Sequence, residues 1–317
     1  ASYSGAFAKP TLHHMTVAVA GPQQLVDGIR GQDALAVDAV GDGAAAREQV
    51  YDRKTDAAFV VTPTGQMKIY VAGGGGHSVA AAAETVGRTI AARAGLAATV
   101  EDVAPASAGD PSGTVEFYAI IFISIGASVG ATVLGRVMGT VRRPLTLALR
   151  TVTLAGYSAL LAAGVTLYVD VILGALTGHS WQVFGALWLY AMAVGGAVTG
   201  VAAAFGSVAS MALTAFLVVI GNAAAAGPVG RPLLSGFYST FTAIVPQGSG
   251  VSLLRSVSYF GGHGAQTPLV TLTMWGAAGC LLAIVATAWR VNYRAVYERI
   301  AGRDRALLRP GLLSPAD

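Results

Sequence analysis

The chain has 317 residues, of which 54% are hydrophobic and 11% charged, with a mean hydropathy of +0.61. Soluble domains carry about 25% charged residues, so this composition excludes an ordinary water-soluble globule and points to a membrane protein. Charge is unevenly divided: residues 1–116 hold eight basic and twelve acidic side chains, net −4, while 117–317 hold twelve Arg, no Lys and four acids, net +8. The single cysteine, Cys280, rules out an intrachain disulfide.

Short apolar runs open the chain. MTVAVA (15–20), ALAVDAV (34–40), AAFVV (57–61), MKIYVA (67–72) and LAATVEDV (96–103) read as strands. Between them 22–30, 43–54 and 77–94 read as helices, the last stopping at Gly95. Strand–helix alternation predicts a small α/β domain over 1–103 with a largely parallel sheet. Residues 104–115, rich in Pro, Ser and Gly, form a linker.

Beyond the linker the expected solvent is lipid. A bilayer core of about 30 Å needs roughly 20 apolar residues per helix. Five runs qualify: 116–138, 148–174, 181–204, 207–226 and 267–289. From 151 to 289 the only formal charges are Asp170, Arg231 and Arg255. Arg136, Arg142, Arg143 and Arg150 surround the first connection, and six arginines follow the last span, in a basic tail over 290–317. The positive-inside rule puts both regions in the cytoplasm and the α/β domain outside. An outside N-terminal domain calls for a sixth span before Ala1. The fold class expected is therefore a polytopic α-helical protein of the plasma membrane with a small extracytoplasmic α/β domain. Trp181 and Trp289 suit the two interfacial aromatic belts.

One stretch fits neither water nor a span: 221-GNAAAAGPVGRPLLSGFYSTFTAIVPQGSGVSLLR-255. It is too apolar for a solvated loop and too broken for a membrane helix. PLLSGFYSTFTAIV (232–245) predicts one short helix with Pro232 in its first turn, and VSLLRSVSYF (251–260) predicts a second. Pro246, Gly248 and Gly250 are expected to break the chain between them. The segment 227–262 thus reads as an external hairpin, either re-entrant with its backbone covered by protein or lying on the headgroups.

This stretch resembles the segment before the last span in type-2 ABC exporter permeases, notably the phage-infection-protein (Pip)-like branch. Asn222, Gly227, Pro228, Pro246 and Gly248 carry the resemblance, with HHMTVAVAGP (13–22), similar to the strand that begins that branch's external domain. The resemblance implies a permease subunit with one further span at the N-terminus, a separate cytoplasmic ATPase, and docking of that ATPase on a cytoplasmic connection such as VMGTVRRPLTLALR (137–150), through Arg136, Arg142 and Arg143.

Among chemistry candidates, GGGGHS (73–78) sits where backbone amides cradle phosphate. The Gly-Lys-Ser/Thr of a nucleotide-binding loop is absent, so a flexible turn is the expectation, and any ATP is used by a partner. His13 and His14 lack companions at ligand spacing; no metal site and no enzymatic centre is predicted. Asp170, the only acid within a span, is a candidate for a transport path or gate, with an outer-interface position as the alternative. Asn222, Arg231, Pro246, Gly248 and Arg255 join it as path or gate candidates. Arg231 and Arg255 are open to pairing with Asp170 or to meeting anionic headgroups. Gly126-x-x-x-Gly130 and Gly196-x-x-x-Gly200 offer close helix packing, within one chain or across a dimer. The function expected is export of a hydrophobic or amphiphilic substrate by a homodimer or paired permease. The alternative is an envelope anchor whose external domain binds a partner.

Overall fold

The computed structural model of the chain describes the backbone of residues 12–138, 144–242 and 244–307, and side chains for 12–138, 145–242 and 244–289. The expected ATPase-docking residues Arg142 and Arg143 lie outside the described residues.

The N-terminal domain is a five-stranded sheet. Its strands are β1 (Met15–Ala20), β2 (Leu35–Ala39), β3 (Ala57–Val61), β4 (Gln66–Val71) and β5 (Ala97–Asp102), in the order β2-β1-β3-β4-β5. Three pairings are parallel. The β3–β4 pair is antiparallel, because Thr62-Pro63-Thr64-Gly65 closes a hairpin with Gly65 at φ 74°. The sheet is therefore mixed. Side chains alternate across it. Val17, Val19, Phe59 and Ile69 face α1 (Gln23–Arg30) and α3 (His77–Arg93), while Ala18, Ala58 and Val60 face α2 (Gly43–Tyr51). Two residues from the distant 227–262 hairpin complete these cores: Leu233 joins the first and Phe260 the second.

Among the described residues, four helices are long and apolar enough to cross a membrane. They lie in α4 (Val115–Val137), α5 (Pro144–Leu167, continued by a π-turn over Tyr168–Ile172), α6 (Ser180–Phe205) and the first part of α10 (Gln266–Leu307). Helix α6 is the centre of the bundle; Val183, Leu187, Tyr190 and Val194 are fully covered. The outward faces of its neighbours carry Phe122, Val152, Leu160, Met274 and Leu281 in the open. An apolar belt of this extent is untenable in water and suits acyl chains. Trp181 is exposed at the start of α6, and Trp289 is exposed within α10 where its apolar part ends. Helix α10 runs unbroken for 42 residues, so the basic tail continues the last span as far as Leu307.

The run 207–226 departs from the expected fifth span. It forms α7 (Ser207–Phe216) and a π-turn (Leu217–Gly221), and at 15 residues it is short for a crossing, about 22 Å against a core of about 30 Å. Apolar content carried the expectation; the change of helical pitch at Leu217 and the Gly227-Pro228 break end the helix early. The segment still returns the chain to the end of the bundle where α4 begins, since Gly227 lies against the Phe117 ring.

The 227–262 hairpin also differs in its register. Its helices are α8 (Gly236–Thr242) and α9 (Pro246–Tyr259). Pro246, Gly248 and Gly250 were expected in the break, but they form the buried opening turns of α9, with Pro246 in its first turn. Proline fits there because it has no N–H to lose. Gly248 and Gly250 are small because the Thr242 backbone and the Ile120 and Tyr190 side chains press on them.

Small residues set the helix spacing. A Cβ on Gly200 would run into the backbone of Gly279, and one on Gly279 into Gly196; Gly126 and Gly130 meet Leu161 and Tyr157. Gly279→Leu is expected to destabilise the bundle by about 1–3 kcal/mol through overpacking. Gly164→Leu, at an exposed position with nothing within 4 Å, is expected to have no such effect. Thermal unfolding in detergent compares the two.

Candidate functional site

The α/β domain and the hairpin enclose a cavity of about 430 Å³. The domain contributes Arg53, Thr55 and Asp56, and the hairpin contributes Arg231, Ser249 and Arg255.

Arg255 organises the site. It is 5% exposed. One Nη donates to Gly75 O at 2.9 Å, and the other to Gly113 O at 3.1 Å and Gly227 O at 2.8 Å. Its three acceptors belong to the domain, the linker and the hairpin, so a single guanidinium joins all three. Guanidinium suits this task because its donors are held in a rigid fork. The linker is accordingly packed: Asp110 is buried and accepts from Val115 N at 2.7 Å.

The four-glycine run is part of the same joint. Gly73 N donates to the Asp102 carboxylate, Gly74 lies beneath the Tyr259 ring, Gly75 offers its carbonyl to Arg255, and Gly76 has φ 142°. The run was expected to be a flexible turn. Instead its lack of side chains gives α9 a seat. Ser78 Oγ donates to Pro228 O at 2.9 Å, and His13 N donates to Pro232 O at 2.8 Å. On the far side His263 Nδ1 pairs with Asp52 at 2.8 Å.

Arg53 holds an unusual backbone position. Helix α2 ends with Arg53 N bonded to Val50 O and Lys54 N to Gln49 O, and Arg53 at φ 62°. Helix α3 ends in the same way at φ 67°, but with Gly95 in that slot. Glycine is the usual residue there because a Cβ is strained in the left-handed region. The Arg53 side chain crosses to the hairpin, where Nη1 donates to Ser252 O at 2.7 Å and Ser256 Oγ at 2.5 Å; its Cζ lies 5.0 Å from the Phe260 ring centroid. Burial, then the neighbouring Arg255 charge, pull its pKa down to about 10, which leaves it charged at neutral pH. Asp56 accepts from Thr16 N at 2.9 Å and Thr16 Oγ1 at 2.7 Å. Burial raises its pKa, against the Thr16 bonds and the Arg231 and Arg53 charges.

The remaining candidates fall elsewhere. Asp170 lies in the π-turn and accepts from Ser180 Oγ at the start of α6; it is not in the cavity lining, and among the described residues it forms no ion pair with Arg231 or Arg255. Asn222 is buried behind the cavity with no partner for its amide atoms. Nearby, Gln247 is fully buried and donates to Leu217 O at 2.9 Å and Ser124 Oγ at 3.3 Å, joining hairpin, π-turn and α4 inside the bundle. Arg136 is exposed at the other end of α4. Arg53, Thr55, Asp56, Gln247 and the buried Glu116 were all missed by sequence reasoning. The left-handed slot of Arg53 has no local signal, whereas Glu116 is visible as a lone acid opening a span.

The chain matches no protein-family model, no curated protein and no solved structure.

Removing the Arg255 side chain leaves three carbonyls short of a donor. Arg255→Ala is expected to cost about 3 kcal/mol or more and to speed amide hydrogen exchange at 73–76 and 227–233 together. Arg136→Ala, at the other end of the bundle, is expected to leave those rates unchanged.

Proposed function

We propose that the chain is a transport subunit of the plasma membrane: the permease of an ABC-type exporter, moving a hydrophobic or amphiphilic substrate with energy from a separate ATPase. The α/β domain lies outside and the basic end of α10 inside. Two such subunits, or one with a paired permease, make up the pathway. The observation that carries this reading is the hairpin. A protein that only anchors a domain needs no inserted segment, yet α9 brings the fully buried Gln247 into hydrogen-bonding contact with α4 and with the carbonyl of a π-turn. Irregular backbone and buried polar groups at such depth are costly unless they serve a path or a moving part, and π-turns are frequent at functional sites. Asn222, Arg231, Pro246, Gly248 and Arg255 belong to this moving part, and Asp170 fixes the α5–α6 connection through Ser180.

The closely packed centre of the bundle around α6 favours a second reading, an envelope receptor whose external domain binds a partner.

Purification of the native full-length protein in mild detergent is expected to recover a distinct ATPase polypeptide, with ATP hydrolysis in the complex. Reversing charge at Arg142→Glu/Arg143→Glu is expected to release it. A preparation that never contains an ATPase sinks the exporter reading and leaves the receptor.

A further inference from the structure

We propose that the cavity between the α/β domain and the hairpin is a binding site for a phosphate ester, with Arg53 and Arg231 as its anion ligands. This goes beyond the transport reading and holds for a receptor as well.

The charges of the lining are Arg53, Arg231, Arg255 and Asp56. None of the three arginines has a carboxylate within 4.0 Å among the described residues. Arg255 is occupied by its carbonyls and has Glu116 within electrostatic reach behind the cavity. Arg53 and Arg231 face the space with only Asp56 against them, and one oxygen of Asp56 already serves Thr16. The lining therefore keeps a surplus of positive charge.

Unused donors point the same way. Among the described residues, Nε and Nη2 of Arg53 make no hydrogen bond, and Arg231, exposed at the rim, makes no side-chain hydrogen bond. Two guanidinium groups around one space match the oxygens of a phosphate group, which guanidinium binds through paired N–H donors.

Size narrows the class. The volume lies in the range of small-molecule sites, about 300–1,000 Å³, and exceeds what a bare anion fills. Val50, Val79, Val251 and Phe260 wall the rest. A phosphate carrying a glycerol-sized body fits both parts. Such an ester is either the headgroup of an anionic phospholipid, reached from the adjoining membrane surface, or a free phosphorylated small molecule.

The backbone supplies an independent argument. Arg53 occupies the left-handed slot that Gly95 holds in the equivalent turn of α3, and non-glycine residues held there cost of order 1–3 kcal/mol. A side chain kept at such a position, lining a cavity with Nε and Nη2 unused among the described residues, is accounted for by a ligand.

The test uses the full-length protein in neutral detergent and reads thermal stabilisation and binding isotherms. The probes are glycerol 3-phosphate and mixed micelles containing phosphatidylglycerol, with phosphatidylcholine micelles as reference. Stabilisation by glycerol 3-phosphate supports a soluble ester; stabilisation by phosphatidylglycerol alone supports a lipid headgroup. Arg53→Gly keeps the turn, and Arg231→Ala removes a side chain without protein hydrogen bonds, so both are expected to fold. Each is expected to weaken binding about tenfold or more, while Arg88→Ala on the outer face of α3 changes nothing. The site is overturned if neither probe stabilises the protein, or if the double variant R53G/R231A binds as well as the unmodified chain. Neither result depends on recovery of an ATPase.

Discussion

A guanidinium group taken out of water must be given acceptors, and at Arg255 this requirement ties the domain, the linker and the hairpin together. Its acceptors are backbone carbonyls from three places far apart in sequence: Gly75 in the sheet domain, Gly113 in the linker and Gly227 in the hairpin. A buried cation satisfied by dipoles alone pays a desolvation penalty that only good geometry offsets. The three loops are thus held to positions fixed to within the tolerance of a hydrogen bond. Leu233 and Phe260 follow from that docking, because each completes a hydrophobic core of the sheet domain with a side chain from the hairpin. Domain and hairpin share their interior and so are coupled in their stability.

The glycines obey the same constraint. At Gly74, Gly227 and Gly230 a Cβ would enter Tyr259, Phe117 and Val79 respectively. These positions are small because another element occupies the space a side chain would need. Within the bundle Gly200 and Gly279 play the corresponding part between α6 and α10, where lipid gives no hydrophobic drive for association and close approach must supply it. One residue type does this work in the domain–hairpin joint and in the helix bundle, for steric reasons in each case.

Signals confined to a few neighbouring residues were legible in the sequence. Strand positions followed from apolar runs, and the end of α3 from Gly95. Four helices long and apolar enough to cross a membrane, among the described residues, followed from length and hydropathy. What depended on distant partners was not legible. The run 207–226 has the composition of a span, but the π-turn at Leu217–Gly221 lies against Gln247, thirty residues further on. Pro246-Gln247-Gly248 has the composition of a break, but its burial under Thr242 and beside α4 makes it a helix start. GGGG has the composition of a flexible turn and becomes a packing surface only when Tyr259 arrives. Of the cavity, Arg231, Gly248 and Arg255 were legible as isolated charges or small residues in an apolar stretch. Arg53, Thr55 and Asp56 were not, since in a soluble α/β domain such residues are commonplace.

The comparison of the two helix ends separates folding from function at Arg53. Gly95 and Arg53 occupy the same slot in the same hydrogen-bonded motif, so the demands of the turn are equal, and glycine meets them better. Docking explains part of the choice, because Nη1 reaches Ser252 and Ser256. Docking does not need a guanidinium beside a second one, whose charge opposes its own, nor does it use Nε and Nη2. A neutral donor of similar length would make the same two bonds without the repulsion. The Phe260 ring and the Asp56 carboxylate favour the positive charge from inside the protein, and an anion entering the cavity would offset the repulsion that Arg255 adds.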